Sequence, residues 1–206
     1  MPVFKIRTVP YKWEEVQDIV KTNQLEKFAR SQEGSDKYLK FKKLVASSNL
    51  TVFKYLLINQ LQWGKQSEIE DLKDEEIKII SKSNNFKEGE DLKILMNDFP
   101  YNFDTGIFHL CIWTKFRIPT DPESSVGDIS LKTRQLIEKY LHKTFDKYVE
   151  WDNLLWFKNW ESLQSVKNLS HVHVLVHGLS QKDLDELLYS PGQPLTEEEV
   201  EEVLCQ

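Results

Sequence analysis

Seven residues, His171-Val-His-Val-Leu-Val-His177, alternate without a break. Successive side chains on a β-strand point to opposite faces. Val172, Val174 and Val176 therefore share one face, and His171, His173, Leu175 and His177 share the other. The valine face calls for a core. The opposite face holds three of the five histidines in the chain, which makes the surrounding stretch, 151–178, the place where chemistry is best sought.

Around this strand the chain reads as helices followed by strands. Residues 1–12 are extended up to Pro10. Trp13, Val16, Ile19 and Phe28 recur at near-helical spacing and predict a helix over 13–28, with Glu14 and Glu15 in the first turn, where the macrodipole favours acids. Residues 31–36 read as a turn, with Ser35 or Asp36 as the cap of a second helix over 37–46. A third helix over 49–63 carries Val52, Tyr55, Leu56 and Trp63 in register. After the polar stretch 65–85 come a short strand at 92–97, a turn-rich loop at 97–106 and an apolar strand at 107–115. A helix over 131–148 and strands at 153–158 and 169–176 complete the pattern. Helices first and strands later predict an α+β fold, with N-terminal helices packed on an antiparallel sheet that has one crossover helix. We expect one domain over 1–206. It comprises a helical part (1–64), a polar connector (65–90), a sheet-bearing part (91–178) and a peripheral acidic tail (179–206).

The chain has 206 residues, 40% of them hydrophobic and 12% aromatic, enough for a packed core. Its net charge of −6 argues against nucleic acid as a partner, because phosphate backbones select basic surfaces. A small phosphorylated ligand needs only a local positive site. The two cysteines, Cys111 and Cys205, form neither a disulfide framework nor a metal-type spacing. No run of ~18 apolar residues suggests a membrane span, and the N-terminus has no apolar leader segment. The expected compartment is the cytoplasm, with the nucleus as the alternative.

His171 and His173 stand at i and i+2 and point to one side. A neutral imidazole there can act as nucleophile or general base. The alternative is a structural pair with a ring nitrogen tied to backbone. His109, on the strand at 107–115, is either a neighbour of that pair or a satisfied core histidine. Lys115 ends the same strand and offers a cation to an anion. Asn159, Ser162 and Ser165 supply neutral donors and acceptors for a sugar or phosphate oxygen, or else cap their own loop. Three histidines and a water are a known zinc set, but no C-x-x-C or H-E-x-x-H motif supports one, and we expect no metal and no cofactor.

Several longer motifs carry a resemblance. N-D-F-P-Y-x-F-x-x-G-I-x-H-L-x-I-W-T-K, W-F-K-N-W-x-S-L-x-S-V and H-V-H-V-L-V, with F-A-R-S and Y-L-K-F-K upstream, resemble the fungal family of N-acetylglucosamine-induced proteins over about residues 10–180. That resemblance implies a link to amino-sugar response and brings no established reaction. The layout of strand, helix, strand and H-φ-H also looks like the histidine-triad superfamily of nucleotide hydrolases and transferases. This second resemblance implies His173 as nucleophile in phosphoryl or nucleotidyl transfer, with His171 as its partner. Asn159 falls near that superfamily's ribose or phosphate asparagine, and Ser165 near its phosphate-contacting serine. Leu175 stands where the third histidine belongs. The two functional expectations are therefore a nucleotide or nucleotide-sugar site, with or without turnover, and a non-enzymatic regulatory or interaction protein of amino-sugar or cell-wall metabolism with a degenerate site.

Overall fold

The computed structural model describes residues 5–205. Residues 1–4, the start of the expected extended segment, lie outside the described residues, as does residue 206. The described part of that segment bends at residues 8 and 9 and makes two isolated bridges, Ile6 to Arg30 and Tyr11 to Phe103.

The N-terminal helices differ from the periodicity at their ends. Helix α1 (Trp13–Lys21) stops short of Phe28. Asn23 takes a left-handed φ of 51°. The Gln24 N–H donates to the Ile19 carbonyl and the Asn23 N–H to the Val20 carbonyl, a pair of bonds that closes a helix in two steps. A single tight turn, Leu25–Lys27, follows. Helix α2 (Gln32–Ser47) begins inside the stretch that reads as a turn. Ser31 caps it by accepting from the Gly34 N–H at 3.0 Å, and this outweighs the Gly and Asp turn signals that follow. It ends on the same device as α1, at Asn49 with φ 56°. The expected helix over 49–63 is split. Thr51 caps a four-residue helix α3 (Val52–Tyr55), which widens into a π-turn over Leu56–Gln60 and breaks at Gln62, φ 58°. Such widened turns are uncommon and favour functional sites. Helix α4 (Gln66–Ile69) is one turn, and residues 71–88 carry no helix or strand.

The sheet is antiparallel throughout: β1 (Leu92–Met96), β2 (Ile107–Thr114), β3 (Leu154–Phe157) and β4 (Ser170–His177), in the order β1-β2-β4-β3. Helix α5 (Leu131–Phe145), capped by Ser130, crosses between β2 and β3. Its Ile137, Tyr140, Leu141 and Phe145 pack against Ile94, Leu110, Ile112, Val172, Val174 and Val176. The valine face is a core face, as the alternation predicts, and the architecture is α+β.

The histidine face is not open. Phe53, Leu56, Leu57 and Leu61 cover its Leu95, Cys111 and Trp113. Tyr11, Val16, Ile19, Leu25 and Phe28 cover Leu175 and Phe157. The N-terminal helices thus form a second layer, and the histidines lie between its two apolar patches.

The tail is not peripheral. Helices α6 (Gln181–Leu187) and α7 (Glu197–Leu204) place Leu184, Leu187 and Val200 in the α5 core. The Ile94 N–H donates to the Ser190 carbonyl at 2.9 Å, and the Tyr189 N–H donates to the Ile94 carbonyl at 2.7 Å. This segment therefore covers the free edge of β1, which would otherwise present unpaired backbone groups. An acidic helix with a capping box hides its apolar stripe from a reading by charge alone.

Candidate functional site

Register places the side chains. Cys111 on β2 stands directly opposite His173 on β4, and Trp113 opposite His171. His109 lies two residues before Cys111 on the same face and is diagonal to His173. His109 Nε2 and His173 Nδ1 are 2.9 Å apart. Cys111 Sγ is 3.6 Å from the same His173 nitrogen. On its other side His173 Nε2 accepts from Asn159 Nδ2 at 3.1 Å, and that amide also donates to the Tyr101 hydroxyl at 3.3 Å. Phe157 stacks on the His173 ring and Trp113 lies over His171. The rings are thus held on two sides, by strand geometry and by aromatic faces.

All three histidines are buried, each at most 8% exposed. Burial disfavours a charged imidazole. It pulls His109 down to about 3, with Arg30 and His171 adding to the effect. Burial also pulls His171 down to about 4, against an opposing hydrogen-bonding contribution from the ring N–H to the Leu169 backbone carbonyl. His173 lies well below the ordinary value, from burial first and then from its two neighbouring histidines. Burial pushes the Cys111 thiol up. At neutral pH the cluster is three neutral rings and a thiol, suited to accept, donate or ligate rather than to act as a cation. The nitrogens of His109 and His173 and the sulfur of Cys111 all lie within 4.8 Å of one another, close enough to hold one metal ion.

A cavity of about 370 Å³ opens onto this cluster. Its wall includes Cys111, Asn159, His171 and His173, with Arg30, Tyr101 and Trp113 around them and the exposed Lys42 and Asp98 at its rim. Two of these wall residues each carry a buried polar atom without a partner: Asn159 Oδ1 and His171 Nδ1. The side chain of Gln60, on the π-turn, donates to the Asp98 carboxylate and ties the covering layer to the loop at 97–106.

Of the residues singled out from sequence, the fold brings His109, His171, His173 and Asn159 together, with Ser165 on the cavity wall. Lys115 is elsewhere. It sits beside Asp91 at 3.9 Å and lines a separate, smaller pocket with Arg117 and Lys167. It extends the β1–β2 register by one step, its N–H donating to the Asp91 carbonyl at 2.9 Å, and its ammonium lies 5.6 Å from the centre of the Trp63 ring. Ser162 is exposed on a short turn, Glu161–Leu163, outside the cavity wall. Cys111, Arg30 and Tyr101 belong to the site and were not singled out from sequence. Cys111 alternates with His109 on one strand face, and that was the available signal. Arg30 and Tyr101 fall within F-A-R-S and N-D-F-P-Y, motifs that carry the family resemblance.

Residues 12–177 match the family described as "Protein of unknown function (DUF3605)". The chain belongs to this family. The matched span runs from the start of α1 to the last histidine of β4 and takes in every residue of the cavity wall. The "N-acetylglucosamine-induced protein 1" of Candida albicans is 43% identical over 195 residues, which cover 91% of this chain and 76% of that protein. An uncharacterized protein of Saccharomyces cerevisiae is 28% identical over 174 residues, or 81% of this chain and 78% of that one. Among solved structures, the crystal structure of HTC1 superposes with a TM-score of 0.64 at 25% identity and covers 95% of this chain and 94% of that one. The fungal resemblance seen in the motifs is thereby established. Among the described residues, no helix is long and apolar enough to cross a membrane.

Proposed function

We propose that this chain binds a small phosphorylated ligand, of the sugar-phosphate or nucleotide class, in the cavity beneath α2 and α3, and that it serves in amino-sugar response. The observation that carries this reading is the pair of buried, unpartnered polar atoms on one wall, Asn159 Oδ1 and His171 Nδ1. A buried polar atom without a partner costs about 1–3 kcal/mol. Both side chains line the cavity, and a turn of either about its own bonds brings its orphan atom to a ligand hydroxyl that removes that cost. In either orientation of the Asn159 amide, one of its two polar atoms is left for a ligand.

Charge supports a phosphorylated ligand. Arg30 stands over Tyr38 and Tyr101 and has no carboxylate partner among the described residues, and the exposed Lys42 adds a second cation. Volume narrows the class. At about 370 Å³ the cavity is near the small end of the ~300–1,000 Å³ range of ligand sites. That favours a hexosamine phosphate or a nucleoside monophosphate over a full nucleotide sugar. The amino-sugar frame comes from the Candida relative, whose name ties that protein to N-acetylglucosamine induction.

Transfer through His173 is the more demanding reading. Its Nδ1 faces His109 and its Nε2 faces Asn159, so neither nitrogen points freely at a ligand. Leu175, at the third triad position, is fully buried beside Phe157 and Val16 and has no donor for a phosphate oxygen. We therefore assign His171 to ligand contact and His173 to positioning. A thermal-shift series tests this reading. Hexosamine phosphates or nucleoside monophosphates should raise the Tm, and unphosphorylated N-acetylglucosamine should not. Arg30→Gln should abolish the shift while leaving the unliganded Tm near that of the wild type. A flat response across the phosphorylated series overturns the proposal.

A further inference from the structure

We propose that His109 Nε2, Cys111 Sγ and His173 Nδ1 hold one thiophilic divalent cation, of the zinc class, at the floor of the cavity. The argument begins with the strands. Cys111 and His173 are a directly opposed pair and His109 is one step along the same face, so three donors converge from two hydrogen-bonded strands without any loop. Sites built on rigid strands need little ordering to bind. Two of the three donor spacings lie near the edges of a tetrahedron around one ion. Two nitrogens each ~2.0–2.1 Å from zinc and a sulfur at ~2.3 Å are separated by roughly 3.3–3.6 Å. The observed separations are 2.9 Å for the nitrogen pair and 3.6 Å from sulfur to His173, with all three atoms inside 4.8 Å. Binding requires the nitrogen pair to open from 2.9 Å to the tetrahedral separation. Neutral imidazoles and a thiolate are the soft and borderline donors that zinc-class ions prefer.

The surroundings supply a second observation. A ligating histidine generally donates its other ring N–H to an oxygen, which fixes the tautomer. Asn159 lies 3.1 Å from His173 Nε2, and its own Oδ1 is buried without a partner. With the metal on Nδ1, the His173 proton sits on Nε2, and a rotated Asn159 amide accepts it through Oδ1. The Asn97 amide, 3.2 Å from His109 Nε2, gives up that contact.

The protons balance. The proton that lies between His109 and His173 moves to His173 Nε2 and stays bound. The Cys111 thiol loses its proton to solvent as the sulfur–metal bond forms. Binding therefore releases one proton per ion, and affinity rises with pH. Three protein ligands leave a fourth position open toward the cavity, the arrangement of catalytic rather than structural zinc sites. This proposal does not depend on the ligand named above, since a metal centre would stand even if no phosphorylated compound bound.

The test uses the full chain, stripped with chelator and titrated with Co²⁺ as the optical probe. The expected result is saturation at one equivalent, with a thiolate-to-cobalt charge-transfer band and intense visible bands of a four-coordinate ion. Zinc should displace the signal. Cys111→Ser should lose the charge-transfer band, and Asn159→Ala should keep it with about 10–100-fold weaker affinity. His171→Phe should bind as the wild type does. Calorimetry in buffers of different ionisation enthalpy should report one proton released. Failure of wild-type protein to develop the charge-transfer band overturns the proposal, a result that needs no variant to fold. Persistence of the band in folded Cys111→Ser, as judged by circular dichroism, overturns it as well.

Discussion

Lowering the pH from 6.5 to 5 should destabilise this protein far more steeply than its carboxylates can explain. The cause is the histidine cluster. His109 titrates at about 3 and His171 at about 4 in the folded chain, because burial withholds solvent from the charged ring. In the unfolded chain both return to ~6.5. Between those values the unfolded state binds protons that the native state refuses. Stability therefore rises with pH in this window. It is fully present above about 6.5 and is lost as pH falls toward the folded values. Each such histidine contributes a slope of about 1.4 kcal/mol per pH unit. Over the roughly 1.5 units down to pH 5, with the slope only half developed at pH 6.5, His109 and His171 together remove about 3 kcal/mol. His173, also held well below its ordinary value, steepens the fall. Typical domain stabilities are only about 5–15 kcal/mol, so much of the margin disappears. Urea titrations followed by circular dichroism, in chelator and at fixed ionic strength, measure the slope directly. Replacing His171 with Phe keeps an aromatic ring over Trp113 and removes one ionisable group, and should reduce the slope by about 1.4 kcal/mol per pH unit. A flat profile between pH 6.5 and 5 in the wild type would refute the buried-neutral cluster. So would an unchanged slope in the variant.

Two further substitutions probe the frame around the site. Gly192→Ala should destabilise by at least about 2 kcal/mol in chemical denaturation, because strain adds to overpacking. Gly192 has φ 65°, and an added Cβ would lie 2.5 Å from the Tyr140 hydroxyl and 2.7 Å from Thr144 Oγ1. That loss would show that the C-terminal segment is part of the core. Leu175→His, which restores the third histidine of a triad pattern, should cost about 3 kcal/mol and confer no nucleotide hydrolysis, since it buries an imidazole among apolar side chains. A stable, hydrolytically active Leu175→His would contradict the placement of Leu175 in the core.

Much of the sheet was legible because alternation is a local signal. His109 and His173 sit on strands whose faces the sequence separates correctly, and the valine face packs as it must. Helix existence was legible too, but helix ends were not. Asn23 and Asn49 stop α1 and α2 by adopting left-handed backbone, and Ser31 starts α2 inside a segment rich in turn residues. Each outcome depends on a few hydrogen bonds that compete closely. What could not be read was which layer covers the histidines. Polar residues on a strand commonly face water, and only the folded N-terminal helices show that these do not. Lys115 is a lesson of the same kind, for its place one residue past the end of β2 sends it to Asp91 rather than to the cavity. Arg30 reaches the site from the bridge residue before the α2 cap, at a separation in sequence that no local pattern reports.

The most direct test of a ligand site in the cavity is the change in Tm on adding a hexosamine phosphate or a nucleoside monophosphate to metal-defined protein. A compound at 100 times its Kd should stabilise the native state by about 2.7 kcal/mol, with the shift lost in Arg30→Gln and weakened in His171→Phe. No shift from any phosphorylated compound, or an equal shift in Arg30→Gln, would contradict it.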